Sequence, residues 1–490
     1  MQLADLLAGS GLPLPPATGR LEIADLQEDS RKVKAGTLFA ALPGSKLDGR
    51  RFIDQAVAAG AVAVLAPIGT KAAIPVIESP EPRAALARLA ARFFGAQPER
   101  IVAVTGTNGK TSVASFTRQI FASLGQKAAS LGTLGLEAPG AEPLPSLTTP
   151  DSITLHRLLA GLARDGVTHL AMEASSHGIE QHRLDGVVLA AAGFTNLTHD
   201  HLDYHGTMEA YRAAKLGLFD RLLPEGATAV VNEDAAESAE IARIARARGH
   251  RLITYGSDKS DLALLERRPS AQGQSLMLRL FGARHELELP LAGAFQAGNA
   301  LCALGLAFGA GADLAPALAA MAHLCGVRGR LEQVGSTREG APVFVDYAHT
   351  PDALETVLKA LKPHAAGKLV VVFGCGGDRD PKKRPVMGEI ASRLADRAIV
   401  TDDNPRSETP ADIRRAVLGG AASGRLEEIG DRAEAIAKAV QDLVRGDILV
   451  IAGKGHEQGQ IVGAEIRPFD DANVVRAALA ARGAPAERCA

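Results

Sequence analysis

The stretch RIVAVTGTNGKTS, residues 100–112, decides the architecture. Ile101 to Thr105 reads as a strand and Gly106 to Gly109 as a loop. The following SVASFTRQIFASLG reads as a helix with Val113, Phe116 and Ile120 on its buried face and Gly125 at its stop. A strand, a glycine loop and a helix in that order make a phosphate-binding unit. The glycines let backbone N–H groups face phosphate oxygens, Lys110 supplies positive charge, and the Thr111 hydroxyl can ligate Mg²⁺. The usual pattern GxxxxGK[ST] would need glycine at position 104, where Val104 stands, so this is a variant loop.

Three stretches each start a new alternation of apolar runs and helical patterns, which predicts an α/β protein with mostly parallel sheets. The first covers residues 1–98, with strands at GTLFAAL (36–42) and AVAVLAP (61–67) separated by the helical FIDQAVAAG. The second, 99–330, contains the phosphate loop. In the third, 331–490, PVFVDYAHTP, KLVVVFGCGGDRD, RAIVTDDNPR and DILVIAGKGHE are strand-like runs that each end in a polar loop. Ligands bind at such loops, beyond the carboxyl ends of parallel strands.

Lys plus Arg is 54 and Asp plus Glu is 56, a net charge of -2, which lacks the basic excess of a duplex-binding protein and predicts no nucleic-acid partner. With 46% apolar and 22% charged residues the chain is expected to fold as an ordinary water-soluble protein. Cys302, Cys325, Cys375 and Cys489 are scattered, with no CxxC pair, and are expected to be buried thiols in a reducing compartment. The start, MQLADLLAGSGLPLPP, has no basic segment or long apolar core, so a cytoplasmic location is expected. The most apolar stretch, Ala300 to Leu324, carries Asp313 and Pro316 and predicts no membrane span. With no long heptad, a monomer is expected.

Two further segments carry chemistry. THLAMEASSH places Glu173 just past an apolar strand, where a carboxylate can reach a magnesium ion on bound phosphates. FTNLTHDHLDYHG gathers His199, Asp200, His201, Asp203 and His205, for which zinc is a competing metal and a structural loop the plain alternative. MEAYRAAKLGLF reads as a helix on which Lys215 lies four residues after Tyr211; a lone helical lysine is ordinarily a solvated one.

Taken together and in this order, TGTNGKT, EASSH, DHLDYHG and YRAAK resemble the Mur ligase family of ATP-dependent amide-forming enzymes. The resemblance covers the whole chain. It implies three domains: a smaller N-terminal α/β domain for the UDP substrate, a central P-loop domain for ATP, and a C-terminal Rossmann-like α/β domain for the amino acid. It also implies ATP contacts at Gly106, Thr107, Asn108, Gly109, Lys110, Thr111, Ser112, Asn299, Arg330 and Asp346. One Mg²⁺ would be held through Thr111 and Glu173 and a second by His201 and carbamylated Lys215, and Lys110, Glu173, His201 and Lys215 would be the catalytic set. An amine adds CO₂ only when neutral, and the product is an oxygen donor suited to a hard cation.

In the third stretch, DYAHTPDAL, GCGGDRDPKKRP, DNPR and GKGHE resemble family members that add meso-2,6-diaminopimelate to UDP-N-acetylmuramoyl-L-alanyl-D-glutamate in peptidoglycan synthesis. The implied pocket is Arg379, Asp403, Asn404, Pro405, Arg406, Gly453 and Glu457. A guanidinium fork at Arg406 can pair bidentately with the far carboxylate of diaminopimelate, which lysine lacks. The UDP substrate would meet Ser30 of Asp29-Ser30-Arg31, and Thr148, Thr149, Ser175, Gln181 and Arg183. Gln296 stands where the family commonly has Asn, and Arg328 where Pro is common.

Three alternatives stand beside this reading. GCGGDRD could be a dinucleotide fingerprint, although Arg379 occupies the third glycine position. The phosphate loop could serve a nucleotide-switched binding protein, which would leave the His-rich loop, Lys215 and the arginines unexplained. A related ligase could use lysine, a D-alanyl dipeptide or a folyl-polyglutamate.

Overall fold

The computed structural model describes residues 1–44, 47–140, 147–422 and 424–484. The chain separates into two compact units, residues 1–254 with 305–313, and residues 255–304 with 314–490.

The first unit holds two sheets. Strands β1 (Asp25–Gln27), β2 (Thr37–Ala40), β3 (Ala61–Pro67) and β4 (Val76–Ser79) are parallel and lie side by side in chain order. Helices α1 (Leu3–Leu7), α2 (Ile53–Ala58) and α3 (Pro82–Phe94) cover them. Side chains alternate across β2 because the strand period is two. Leu38 and Ala40 enter one core with Leu86 and Leu89 of α3, while Phe39 and Ala41 enter another with Ile53 and Ala56 of α2.

The larger sheet of this unit is built from β5 (Arg100–Thr105), β6 (Ala128–Gly132), β7 (Gly135–Glu137), β8 (His169–Glu173), β9 (Leu189–Phe194), β10 (Thr228–Asn232) and β11 (Arg251–Gly256), in the order β11-β10-β9-β5-β8-β6-β7. β5 lies between β9 and β8 and is parallel to both. Its helices are α4 (Lys110–Ser123), α5 (Ser152–Arg164), α6 (Ser176–Glu180), α7 (Leu202–His205), α8 (Met208–Gly217) and α9 (Ser238–Ala247). Val113, Phe116 and Ile120 of α4 are fully buried, and Gly125 follows the helix with φ 78°. Val104 sits inside β5, paired with Glu173 of β8 and Gly193 of β9, so the variant loop turns only after Thr105 and position 104 packs as core. The Thr207 hydroxyl accepts the Ala210 N–H and fixes the start of α8, the helix that carries Lys215.

The second unit contains an antiparallel meander, β12 (Leu262–Ser270), β13 (Gly273–Leu280) and β14 (Ala283–Leu289), followed by α10 (Ala294–Gly309), of which residues 305–309 are counted with the first unit, and α11 (Leu314–Met321). Its main sheet uses β15 (Glu332–Ser336), β16 (Pro342–Asp346), β17 (Leu369–Phe373), β18 (Arg397–Val400), β19 (Leu426–Glu428) and β20 (Ile448–Ala452), in the order β15-β16-β20-β17-β18-β19. Only the β15–β16 pair is antiparallel. Helices α12 (Pro351–Leu361), α13 (Lys383–Leu394), α14 (Pro410–Leu418), α15 (Arg432–Gln441) and α16 (Asp471–Ala481) complete it, with the hairpin β21 (Gly459–Val462) and β22 (Glu465–Pro468). Leu369, Val371 and Phe373 face one core and Val370 and Val372 the other, which is why this strand reads as an unbroken apolar run.

Residues 374–382 separate β17 from α13, so no helix opens directly after the glycines of GCGGDRD, as a dinucleotide fingerprint requires. Cys302 and Cys375 are free and buried. Cys325 departs from expectation: it is half-buried and disulfide-bonded. Cys489 lies outside the described residues. Among the described residues no helix is long and apolar enough to cross a membrane.

Candidate active site

In the first unit the phosphate loop is clamped to the segment leaving β9. The Thr107 N–H donates to the Asn196 carbonyl (2.8 Å), and the Asn108 N–H donates to Asn196 Oδ1 (3.0 Å). Thr195 donates its hydroxyl to the Asn108 carbonyl (2.6 Å). Gly106 must be glycine, because a Cβ there would fall 1.9 Å from Thr195 Oγ1. Lys110, the first residue of α4, curls back so that Nζ donates to the carbonyls of Gly106 and Thr107, both at 2.9 Å. Its ammonium thereby sits over the loop at a helix N-terminus, where positive potential favours an anion.

Lys215 reaches the same loop from α8. Its Nζ donates to the Gly106 carbonyl at 2.7 Å and lies 4.5 Å from the Tyr211 ring centre. The side chain is 1% exposed, against the ordinary expectation for a helical lysine. Burial, then repulsion from Lys110, pushes its pKa down to about 6, with Asp200 acting weakly the other way. At neutral pH this amine is therefore mostly unprotonated, the state that reacts with CO₂. Tyr211 is also buried and its hydroxyl lies 3.1 Å from Thr107 Oγ1, tying α8 to the loop.

Glu173 ends β8 next to the loop and is 1% exposed. Its Oε1 accepts the Thr133 N–H (2.8 Å) and its Oε2 the Thr133 hydroxyl (3.2 Å). Glu173 and Thr111 line one small cavity, so two oxygen donors suited to a hard cation share a space. His201 lies elsewhere on the rim. It precedes α7 with φ 52°, its side chain is 47% exposed, and its ring centre is 5.2 Å from that of His177. His205, in contrast, is buried, with Nε2 2.9 Å from Ser176 Oγ and Nδ1 3.1 Å from Glu180 Oε2. Tyr204 stacks on His177 at 3.9 Å. Part of the His-rich loop thus packs α7 against α6. Among the described residues no three His, Cys, Asp or Glu side chains converge as a metal ligand set, so zinc has no assembled site. The oxygen donors Thr111 and Glu173 suit magnesium, and a carbamate on Lys215 would add another.

The residues expected to hold the UDP substrate form one network except for Ser30. Thr149 Oγ1 donates to the Glu173 carbonyl (3.0 Å) and accepts from the Ser175 N–H (3.0 Å). Arg183 donates to the Thr149 carbonyl (2.7 Å) and Gln181 Oε1 (2.8 Å), and Gln181 donates to the Tyr204 hydroxyl (2.8 Å). Thr148 Oγ1 lies 3.1 Å from Thr133 Oγ1, which leads back to Glu173. Ser30 donates instead to Gln55 Oε1 (3.1 Å). Glu28, two residues before it, titrates above the ordinary range through burial and Asp151, with Arg83 and Arg183 opposing.

Asn299, Arg330 and Asp346 lie in the second unit and are linked there. Asn299 donates to Gln296 Oε1 (2.9 Å), so the unusual glutamine orients it. Asp346 accepts the N–H groups of Leu331 (2.7 Å) and Ala348 (2.8 Å), and burial pushes its pKa up to about 6. The Arg330 guanidinium stands 5.3 Å from the Tyr347 ring centre. Arg328, the other departure, pairs with Asp470 at 2.7 Å.

The residues expected to form the amino-acid pocket lie together. The carboxyl ends of β16, β17, β18 and β20 are neighbours in the sheet, and their loops surround a cavity of about 660 Å³. Arg379, Asp403, Asn404, Arg406, Gly453 and Glu457 all line it. Pro405 lies between two of these residues and is buried. Arg406 has φ 51°; its Nη1 donates to the Gly377 carbonyl (2.8 Å), and its backbone N–H to Ile461 (3.0 Å). Among the described residues Asp403 Oδ2 is buried with no hydrogen-bond partner, an unsatisfied acceptor at the cavity wall. The sequence reading missed Asn196, Thr133 and Lys454, which hold functional residues without carrying a motif signature of their own.

Comparison with known proteins agrees with this geometry. Residues 22–94 match the Mur ligase family catalytic domain, 104–307 the Mur ligase middle domain, and 329–455 the Mur ligase glutamate ligase domain. The chain is 57% identical to the UDP-N-acetylmuramoyl-L-alanyl-D-glutamate--2,6-diaminopimelate ligase of Caulobacter vibrioides, over 92% of this chain and 94% of that protein. It is 55% identical to the enzyme of the same name from Bradyrhizobium diazoefficiens, over 98% and 100%. A solved structure of a ligase with this name is 36% identical and superposes with a TM-score of 0.79, covering 99% of this chain and all of that one. With family matches along the chain and relatives of this identity and coverage, the chain belongs to the Mur ligase family.

Proposed function

We propose that this chain is an ATP-dependent ligase that adds meso-2,6-diaminopimelate to the D-glutamyl γ-carboxylate of UDP-N-acetylmuramoyl-L-alanyl-D-glutamate in peptidoglycan synthesis. The observation that carries the reading is the cavity lined by Arg379, Asp403, Asn404, Arg406 and Glu457, which joins guanidinium donors to carboxylate acceptors. A free diamino diacid presents the complementary carboxylates and ammonium groups. The names of the relatives support the same substrate.

A carboxylate is a poor electrophile, so amide formation needs activation. The γ-carboxylate oxygen attacks the γ-phosphorus of ATP, ADP leaves, and an acyl phosphate forms. The neutral amine of diaminopimelate then attacks the acyl carbon, its nitrogen gives up one proton, and hydrogen phosphate departs with the amide bond made. Lys110, held over the loop by Gly106 and Thr107, offsets phosphate charge as it shifts during transfer. Thr107, Asn108, Gly109, Thr111 and Ser112 cradle the phosphates, and Asn299, Arg330 and Asp346 contact the nucleotide. Thr111 and Glu173 would hold one Mg²⁺ and His201 with carbamylated Lys215 a second, which together would supply charge neutralisation for the phosphates. Ser30, Thr148, Thr149, Ser175, Gln181 and Arg183 receive the UDP substrate.

The functional division is 1–98 for the UDP substrate, 99–330 for ATP and 331–490 for the amino acid, a division supported by the three family matches. The enzyme works as a cytoplasmic monomer without nucleic acid. Phosphate release that depends on ATP, the UDP-linked dipeptide and diaminopimelate together tests the assignment. ATP hydrolysis indifferent to any amino acid would overturn it.

A further inference from the structure

Lys454 lies in GKGHE between the two residues assigned to the pocket, and it does not line the cavity. It is fully buried behind it. A buried ammonium needs acceptors, and Lys454 has two: Nζ donates to Asn404 Oδ1 at 3.0 Å and to Glu457 Oε2 at 3.2 Å. Both acceptors belong to cavity-lining residues. Asn404 Oδ1 also accepts the Ile461 N–H at 2.9 Å, so two donors fix the amide with Nδ2 turned to Glu457 Oε2, at 2.9 Å. Glu457 Oε2 thus receives both bonds, and Oε1 remains for a ligand. Gly453, next to Lys454, packs closely on the same wall: a Cβ there would lie 2.6 Å from Asp403 Oδ2.

We propose that Lys454 is a positioning residue for the amino-acid substrate, locking the Glu457 carboxylate, directly and through the Asn404 amide, in the orientation in which Oε1 receives the distal ammonium of diaminopimelate. This rests on the amino-acid site assigned above. Charge and positioning make opposite predictions. Removing a cation behind the pocket leaves it more negative and, by electrostatics alone, tightens binding of an ammonium group. Loss of positioning frees the amide and the carboxylate and weakens it. Glu457 is 34% exposed at its side chain, so water can solvate it when Lys454 is absent, which favours a folded variant.

The test is steady-state kinetics of Lys454→Met and Lys454→Gln against all three substrates, with melting temperatures alongside. Lys454→Met should raise KM for diaminopimelate about tenfold or more, as expected for a lost charge-assisted hydrogen bond. KM for ATP and for the UDP substrate should change less than about twofold, well under the effect of one hydrogen bond. Lys454→Gln, which keeps one donor, should recover part of the loss and serves alone should the Met variant not fold. An unchanged or lowered KM for diaminopimelate overturns the proposal, as does a parallel rise in all three values. Arg406→Ala is the control. If it raises KM for diaminopimelate and the Lys454 variants do not, only the Lys454 assignment fails; if the wild type does not use diaminopimelate, the site itself is misassigned.

Discussion

Lys215 offers the most quantitative test of the phosphate-loop chemistry. Its pKa of about 6, against an ordinary 10.5, follows from burial and the nearby Lys110. At pH 7 its neutral form outnumbers the cation ~10 to 1, whereas about one ordinary lysine in 3000 is neutral. Between pH 6 and 10.5 the folded chain therefore binds one proton fewer at this residue than the unfolded chain. The sign follows: Lys215 makes stability rise with pH, by about 1.4 kcal/mol per pH unit. Lys215→Met removes that slope. Denaturant unfolding in bicarbonate-depleted buffer at pH 7 and pH 8 should show wild type gaining about 1.4 kcal/mol relative to the variant. In ¹³C-bicarbonate the wild type should show a carbamate resonance that Lys215→Met and Lys215→Arg lack, and Lys215→Arg should lose most activity because a guanidinium stays charged. Equal pH slopes in wild type and Lys215→Met would refute the reasoning, as would full activity of Lys215→Arg.

Other perturbations separate the sites. Arg406→Ala should raise KM for diaminopimelate by about 10- to 100-fold, the loss of a charge-assisted pair, while ATP binding measured by calorimetry stays within about twofold. Arg432 and Asp471 form a fully buried pair, with Nε to Oδ1 at 2.7 Å. Arg432→Met should therefore cost about 3–5 kcal/mol in denaturant unfolding, because Asp471 is left buried without its partner. Gly106→Ala would drive a Cβ into Thr195 and should cost about 1–3 kcal/mol and weaken nucleotide binding by fluorescence titration.

Much of this was legible in sequence because the functional groups sit at the ends of short, fully buried parallel strands. Such strands read as apolar runs, so the polar residues at and just beyond their ends, Asp346, Asn404 and Glu457 among them, mark the ligand-binding edge. Val104 reads as a flaw in the phosphate-loop pattern and is explained only by its pairing inside β5. Three features were not legible. The neutral state of Lys215 depends on burial and on the contact with Gly106, which joins α8 to a loop about a hundred residues away, as long-range packing does without a local signature. Lys454 resembles any lysine in a glycine loop until its neighbours are placed around it. The meander β12 to β14 also escaped the reading, since its half-exposed strands alternate polar and apolar residues beside a mostly parallel architecture.

The most direct test of the central claim is phosphate release with ATP, magnesium and UDP-N-acetylmuramoyl-L-alanyl-D-glutamate, comparing meso-diaminopimelate, L-lysine and D-alanyl-D-alanine, with the UDP product identified by mass. The account predicts turnover with diaminopimelate alone and a product heavier by one diaminopimelate residue. Turnover with lysine or the dipeptide in its place would contradict the reading of the Arg406 pocket, and turnover with none of the three would contradict the ligase itself.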